Sequence, residues 1–296
     1  MTPIRILMQT TIPPSEDDWT IDRFSLLRDY LASLADETGK PLYEVTARNR
    51  ESNSDDPILS NLDHSDFDEL WLFAVDIGGG LTEKECQAIA EFRRQGKGLL
   101  IARDHQDLGS SICNLDGVGI ANYFHTRNPD PDESRRCNDD PYTTYISWPN
   151  YHSGSNGDYQ KITPTEPIHE LLHNPASPSG VVEFFPAHPH EGGVGLASNL
   201  ENARVIATGT SKVTGRPFNL AVVFDRTQND NGKILGRAVT ESTFHHFCDY
   251  NWDVDMGCPS FVDEPPGEGM KLEPRALADI KTYVRNIAAW LAPIKK

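Results

Sequence analysis

The chain has 296 residues, and its 38% hydrophobic content is enough to bury at least one large core. Aspartate and glutamate outnumber lysine and arginine by 44 to 27, which gives a formal net charge of −17. Because such a surface repels phosphate groups, we expect neither nucleic acid nor a membrane as a partner. No apolar run is long enough for a transmembrane helix, and the first residues lack the pattern of a signal peptide.

The cysteines give a second indication of the compartment. There are five, an odd number, and none of them belongs to a CxxC pair. This usage is typical of neither a disulfide scaffold nor a thiolate zinc site, although a local pair such as Cys248 with Cys258 stays open in an oxidising compartment. We therefore expect a cytoplasmic protein, and the sequence leaves its oligomeric state open.

Strands and amphipathic helices alternate in the first third of the chain. Buried strands are predicted over residues 4–10, 43–49, 69–75 and 98–102. A helix with its apolar positions at helical spacing starts at Ile21. A second helix begins at Thr82 and Glu85, which have the spacing of a capping box, and ends before Gly96. This alternation predicts an α/β fold with a mainly parallel sheet flanked by helices.

The middle of the chain has a different composition. Residues 114–179 are rich in Asn, Asp, Pro, Ser and Tyr and show no sustained period, which predicts a long irregular insertion. Its tyrosines and Trp148 favour a packed lid over disorder. Further strands are predicted over 204–209, 218–225 and 236–242, and a last amphipathic helix starts at Pro274. We expect one α/β domain over residues 1–296, with the insertion inside it.

The residues just past the predicted strands are the candidate site residues. In an open parallel sheet, ligands bind outside the carboxyl ends of the strands. These residues are, in chain order, Glu16, Asp17, Asp18, Trp19, Asp76, Gly79, Asp104, His105, Asp107, His245 and His246. The segment FFPAHPHEGG adds His188, His190 and Glu191.

One interpretation of these residues is a metal site. Imidazole and carboxylate groups together suit zinc or another divalent first-row metal, and a catalytic site needs only three protein ligands. The predicted ligands are His188, His190, Glu191 and His246, because the first two can point the same way from an extended segment. Glu191 or Asp107 would then act as a base on bound water. The alternative is a plain hydrogen-bond network of histidines and carboxylates.

A second interpretation is acid–base or nucleophilic catalysis without a metal. Asp104 lies at a strand-to-loop turn, and we predict Asp104, His105 and His245 as catalytic residues. The predicted substrate contacts are Glu16, Asp17, Asp18, Trp19, Asp76, Gly79 and Asp107. The glycines of DIGGG offer backbone N–H groups to a developing negative charge, although such a run is also typical of a flexible turn. The acidic residues before Trp19 fit a solvated loop or a helix N-terminus equally well.

Two stretches of the chain resemble a known superfamily. DELWLFAVDIGGGLTEKECQAIAEFRRQGKGLLIARDH and GRAVTESTFHH are similar to class I glutamine amidotransferase-like proteins of flavodoxin-like fold, and most similar to the trehalose-utilisation (ThuA-like) branch. The resemblance covers about the first 110 residues and residues 204–246, and does not extend to the insertion. Amidotransferases carry a cysteine in a G-x-C-x-G elbow, where this chain has IARDHQDLG. Glutamine hydrolysis by the family mechanism is therefore not expected.

The resemblance implies a sugar-related or small polar substrate. We accordingly expect a hydrolase that acts on a small polar or carbohydrate-like molecule through an Asp/His site, with or without a divalent, zinc-like metal. A small molecule is the partner this function requires. The alternative, from another class of protein, is a non-catalytic ligand-binding or scaffold domain that keeps the fold.

Overall fold

The computed structural model describes residues 2–15, 19–52, 54–198, 200–228, 232, 234–259 and 262–294. Three of the predicted substrate contacts, Glu16, Asp17 and Asp18, lie outside these residues. The strands are β1 (Ile4–Thr10), β2 (Tyr43–Arg48), β3 (Glu69–Phe73), β4 (Gly98–Ala102), β5 (Asn122–Tyr123), β6 (Tyr159–Lys161), β7 (Thr163–Pro164), β8 (Phe184–Pro186), β9 (Gly193–Val194), β10 (Ala203–Thr210), β11 (Pro217–Phe224), β12 (Thr227–Gln228), β13 (Ile234–Leu235) and β14 (Ala238–Glu241).

The helices are fewer and mostly short. The α-helices are α1 (Ser25–Ser33), α2 (Glu83–Arg94), α3 (Asp249–Trp252), α4 (Gly269–Leu272) and α5 (Pro274–Leu291). Short 3₁₀ segments occur at Ile21–Phe24, Leu59–His64, Ser110–Asn114, Gly119–Ala121, Glu133–Arg135, Glu170–Leu172, Phe244–Phe247 and Val254–Met256. The segment Leu59–His64 consists of two turns separated by a kink at Asn61. In the described part of the chain, no helix is long and apolar enough to span a bilayer.

Eight strands form the main sheet, in the order β2-β1-β3-β4-β14-β11-β10-β7. The first five are parallel to one another. If these five are numbered in chain order, with β14 as the fifth, they lie across the sheet in the 2-1-3-4-5 order of flavodoxin-like folds. The remaining strands extend the sheet through antiparallel pairs. The predicted α/β fold with a mainly parallel, flavodoxin-like sheet is confirmed.

The buried strands read as continuous hydrophobic runs because both faces of the sheet are covered. Every residue of β3 and β4 is buried. One face packs against α1 and α5, and the other packs against α2. The strand predicted over residues 69–75 ends earlier, at Phe73, since the N–H of Val75 donates to Thr11 Oγ1 (3.0 Å) instead of to a strand neighbour.

The helix ends follow the predicted signals in part. Thr82 and Glu85 form the capping box of α2, with the Thr82 side chain accepting from the Glu85 N–H. The helix predicted from Ile21 begins as a 3₁₀ turn and becomes α-helical at Ser25. There the Asp249 carboxylate accepts from the N–H groups of Ser25 (3.1 Å) and Leu26 (2.8 Å), so a residue from α3 caps α1.

The segment 114–179 is mostly irregular but carries short strands. β7 pairs with β10 at the far edge of the main sheet, and β6 pairs with β8 in a separate ribbon. Tyr151 is buried and stacks on Phe218 of β11, with ring centroids 4.7 Å apart. The segment is therefore tied to the sheet by backbone pairing and by aromatic packing.

Candidate functional site

The carboxyl ends of β4 and β14 meet at one edge of the sheet, where Ala102 pairs with Glu241. Asp104 follows β4 and His245 follows β14, and both are buried. Nε2 of His245 lies 3.3 Å from Oδ2 of Asp104. The Thr243 hydroxyl donates to the other carboxylate oxygen at 3.0 Å. Two segments that are remote in sequence thus share one carboxylate.

His245 is held on its other side by Tyr250, on α3. The Tyr250 hydroxyl lies 2.5 Å from Nδ1 of His245, and the Asn251 side chain donates to the His245 carbonyl at 2.9 Å. Because a hydroxyl both donates and accepts, this contact suits either tautomer of the imidazole. The ring is therefore fixed in place between a phenol and a carboxylate.

His188 packs against His245. Their ring centroids are 3.4 Å apart and the ring planes differ by 14°. Nδ1 of His188 lies 2.8 Å from Oδ1 of Asn156, in the insertion. Nε2 faces Oδ1 of Asp104 at 3.8 Å, and it has no hydrogen-bond partner within the described ranges.

The segment that carries His188 can reach the sheet edge because of a glycine. A Cβ atom at Gly192 would lie 2.4 Å from the Asp104 carbonyl oxygen and 2.6 Å from the Ser242 carbonyl oxygen. The Gly192 N–H donates to that Ser242 carbonyl at 3.1 Å. The backbone thus crosses directly over the two strand ends.

His105 and His190 stand beside this group, on the solvent side. Nε2 of His105 is 3.5 Å from Oδ2 of Asp104, and its side chain is 15% exposed. Nδ1 of His190 is 2.9 Å from Oδ2 of Asp140, and the His105 and His190 ring centroids are 5.4 Å apart. Three imidazoles therefore lie within 4 Å of the Asp104 carboxylate, and His190 lies beside them, next to His105.

A cavity of about 280 Å³ opens above these rings. Its walls come from the loops that follow β1, β3, β4 and β8 and from the insertion. They consist of Trp19, Ile77, His105, Gln106, Asp107, Leu108, Thr143, Tyr145, Ile146 and His190. The cavity is near the lower end of the size range of small-molecule sites. His105 separates it from Asp104.

Burial and neighbouring charges set the protonation of the cluster. Burial alone would raise the pKa of the Asp104 carboxyl, but the adjacent His105 and His245 imidazoles outweigh it and lower the pKa to about 2. Burial lowers the pKa of His105 to about 4, even with Asp104 beside it. Burial and the surrounding imidazoles hold the pKa of His188 well below its usual value. At neutral pH the result is an ionised Asp104 carboxylate beside neutral His105 and His188 rings.

Glu191 and His246, two of the predicted metal ligands, form a separate buried pair. Nε2 of His246 lies 3.3 Å from Glu191, and Nδ1 lies 3.4 Å from Glu241. Glu191 also accepts from the hydroxyls of Ser153 (2.6 Å) and Ser242 (2.8 Å). Burial would lower the pKa of His246, but the Glu191 carboxylate outweighs it and raises the pKa to about 9. The structure places this pair inside the fold, where it anchors the segment that carries His188.

The predicted substrate contacts that lie within the described residues occupy three kinds of position: at the cavity, buried in the fold, and on the surface. Trp19 and Asp107 line the cavity, although the Asp107 carboxylate also accepts from the Thr126 N–H at 2.9 Å. Asp76 is buried and accepts from the Ser111 N–H (3.0 Å) and hydroxyl (2.7 Å), which braces the turn after β3. Gly79 is exposed. Asp76 and Gly79 are not part of the cavity wall.

One group of side chains in the described residues is compact enough to hold a metal ion. Asp104, His188 and His245 each offer one ligand atom, and these atoms lie within 4.8 Å of one another. Of the four predicted ligands, only His188 belongs to this group. The other two members, Asp104 and His245, are residues predicted as catalytic.

Several contacts of the site have no recognisable signal in the sequence. Asn156 and Thr143 come from the irregular insertion, and Tyr250 lies five positions after His245, on the short helix α3. Thr243 is different, because the sequence places it at the same predicted strand exit as His245.

The chain matches no protein-family model, and no curated protein matches it. Solved structures do match. A ThuA-like protein of Bacteroides uniformis is 9% identical, with 97% of this chain and 92% of that one covered and a TM-score of 0.45. A cytoplasmic protein of Salmonella typhimurium is 9% identical, with coverages of 98% and 100% and a TM-score of 0.44. The glutaminase domain of Trypanosoma brucei CTPS is 11% identical, with coverages of 95% and 94% and a TM-score of 0.40. At such identities and TM-scores, these likenesses say nothing about activity.

Proposed function

We propose that the protein is a hydrolase for a small polar or carbohydrate-like molecule, with Asp104, His105 and His245 as its catalytic residues. The observation that carries this function is a buried, ionised carboxylate enclosed by imidazoles directly behind a cavity at the carboxyl edge of the sheet. Titratable groups with shifted pKa values that converge on a cavity are typical of catalytic sites.

The roles follow from position and protonation. His105 stands between the cavity and Asp104 and is neutral at pH 7, so it is the group that takes a proton from a water beside the substrate. The Asp104 carboxylate stabilises the imidazolium that results. His245, fixed by Tyr250, holds Asp104 in place from behind.

The cavity walls favour a small molecule with both apolar and polar faces. Trp19, Ile77 and Tyr145 offer flat or apolar surface, as the weakly polar face of a sugar ring requires. Gln106 and Thr143 offer hydrogen-bonding groups. A ligand-binding protein without catalysis is the second candidate, and it is favoured by the exposure of Ile77 (80%) and Tyr145 (77%) at this cavity.

A substrate panel separates the two candidates. Small chromogenic glycosides, esters and amides would be incubated with the wild-type protein, with His105→Gln and with the surface control His64→Gln, whose side chain is 81% exposed. A hydrolase gives turnover that falls about 10²–10⁴-fold in His105→Gln and stays constant in His64→Gln. A compound that binds in the cavity and is recovered intact, with no turnover across the panel, would favour the binding protein.

A further inference from the structure

We propose that Asp104, His188 and His245 bind one divalent first-row metal cation and that zinc fits this donor set best. Only a catalytic role for this cation rests on the proposed function; the binding of the cation does not. Metal binding is measured without turnover, so either proposal can fail while the other holds. The ligand set differs from the one that the sequence pattern predicts, in which His188 is joined by His190, Glu191 and His246.

The first reason is the buried, unsatisfied nitrogen of His188. With Oδ1 of Asn156 accepting at 2.8 Å, the proton is on Nδ1 and Nε2 carries a lone pair. That lone pair faces a carboxylate oxygen of Asp104 at 3.8 Å, and the His188 side chain is only 1% exposed, so bulk solvent does not screen the repulsion. The opposite tautomer does not help, because an Nε2–H at 3.8 Å is beyond hydrogen-bond distance. A cation between the two atoms satisfies both.

The second reason is the contact between His245 and Asp104. The 3.3 Å between Nε2 and Oδ2 has to hold either a proton or a cation. Tyr250 serves both cases, since its hydroxyl donates to Nδ1 when Nε2 is protonated and accepts from Nδ1 when Nε2 binds a metal.

The third reason is that every ligand already has an outer partner that orients it. Thr243 donates to Asp104, Asn156 accepts from His188, and Tyr250 contacts His245. Such partners fix the tautomer and direction of metal-binding side chains and are a regular part of metal sites.

The ligand atoms are somewhat farther apart than in an occupied zinc site. Ligand atoms around tetrahedral zinc lie about 3.3 Å apart, given zinc–ligand distances of about 2.0–2.2 Å. Here Nε2 of His245 lies 3.3 Å from Oδ2 of Asp104, and Nε2 of His188 lies 3.8 Å from Oδ1. One ligand atom from each of the three residues lies within 4.8 Å of the others. Binding requires a small closure and a tilt of the two stacked rings. Three protein ligands leave a fourth position, as in catalytic zinc sites, and His105 stands on the cavity side of the group.

The test is zinc affinity in the full chain. The protein would be stripped with a chelator and titrated with Zn²⁺ in competition with a chromogenic chelator, for the wild type, His188→Gln and the matched control His190→Gln. We expect one Zn²⁺ per wild-type chain and an unchanged affinity in His190→Gln. Affinity should fall at least about 100-fold in His188→Gln, because even losing an outer partner costs about 10–100-fold.

Two further measurements keep the proposal testable if His188→Gln fails to fold. Asn156→Ala leaves the ligands in place and should weaken Zn²⁺ binding about 10–100-fold. Co²⁺ bound to the wild type should show the visible absorption of a low-coordinate nitrogen and oxygen site, which His188→Gln should abolish. The proposal is overturned if the stripped wild type takes up no Zn²⁺, or if folded His188→Gln binds as tightly as the wild type. Loss of binding in His190→Gln with retention in His188→Gln would assign the cation to other ligands.

Discussion

His245 and Asp104 are separated by 141 positions in the chain, yet Nε2 of one lies 3.3 Å from Oδ2 of the other. The contact exists because β4 and β14 are adjacent parallel strands, so the loops that leave them start from the same edge. Tyr250 completes a row of three buried polar groups. The row gives the candidate site a rigid base.

Removal of the Tyr250 hydroxyl tests the function of this row. In Tyr250→Phe the imidazole of His245 loses one oriented contact while the ring packing is kept. Since one such hydrogen bond is worth about 1.4 kcal/mol, we expect kcat on any substrate found to fall about tenfold. Steady-state kinetics and thermal unfolding would be measured together, and an unchanged kcat in a folded variant contradicts the positioning role.

Replacement of Gly192 tests the close crossing over the sheet edge. A Cβ at this position meets the carbonyl oxygens of Asp104 and Ser242, which are backbone atoms and cannot move aside. We expect Gly192→Ala to lower the free energy of unfolding by about 2–3 kcal/mol. In the control, Gly79→Ala, no heavy atom lies within 4 Å of the new Cβ, and the change should stay within about 0.5 kcal/mol. Chemical denaturation measures both, and similar stabilities for the two variants would refute the crossing.

The buried Glu69 should make stability depend on pH. Its carboxyl accepts from Trp71 Nε1 at 2.9 Å, and burial raises its pKa well above the usual value. The folded state therefore keeps a proton that the unfolded state releases above about pH 4.5, so this residue lowers stability as the pH rises. Glu69→Gln should be more stable than the wild type at neutral pH, and the difference should shrink toward pH 4.5.

Denaturation curves at several pH values would measure this difference. Glu37→Gln, at an exposed position, is the control and should show no such trend. A Glu69→Gln variant that is less stable than the wild type at neutral pH would contradict the assignment.

The ion pair of His152 with Glu264 should stabilise the fold within a defined pH window. Nε2 of His152 lies 3.0 Å from Glu264. Burial would lower the pKa of His152, but Glu264 outweighs it and the pKa is raised. Burial would raise the pKa of Glu264, but the hydrogen bond from His152 outweighs it and the pKa is lowered.

The sign of each shift sets the window. The histidine's contribution is complete below about pH 6.5 and is lost as the pH rises through its folded pKa. The glutamate's contribution is complete above about pH 4.5 and is lost as the pH falls through its folded pKa. A double-mutant cycle of His152→Gln and Glu264→Gln should therefore give its largest coupling energy between these values. A coupling energy that is the same at alkaline pH would rule the ion pair out.

The sheet and its site edge could be predicted from the sequence. Continuous apolar runs, such as the one in β4, are buried on both faces, and polar residues after them have to leave the sheet at its carboxyl edge. This reasoning is enough to place Asp104 and His245 together. It also places Trp19 near the cavity, because the loop after β1 leaves from the same edge.

The partners of His188 could not be predicted in this way. Asn156 approaches it through an irregular segment, where no periodicity indicates which side chains point inward. Glu191 and His246 have the residue types of metal ligands, and a sequence pattern does not distinguish a ligand from a carboxylate and an imidazole that neutralise each other inside the fold. Whether such a residue is a metal ligand or part of a buried ion pair depends on its neighbours in the folded chain.

The pairing of β7 with β10 has a consequence for attempts to simplify the protein. The same stretch that supplies the outermost strand also supplies Asn156 and one part of the cavity wall, Thr143, Tyr145 and Ile146. A shortened version lacking residues 114–179 would expose the edge of β10 to pairing with other molecules. It would also lose the Asn156 side chain, which orients the His188 ring. Engineering of new specificity therefore has to proceed by side-chain exchange around the cavity mouth, at positions such as Ile77 and Tyr145, with the backbone of the segment left whole.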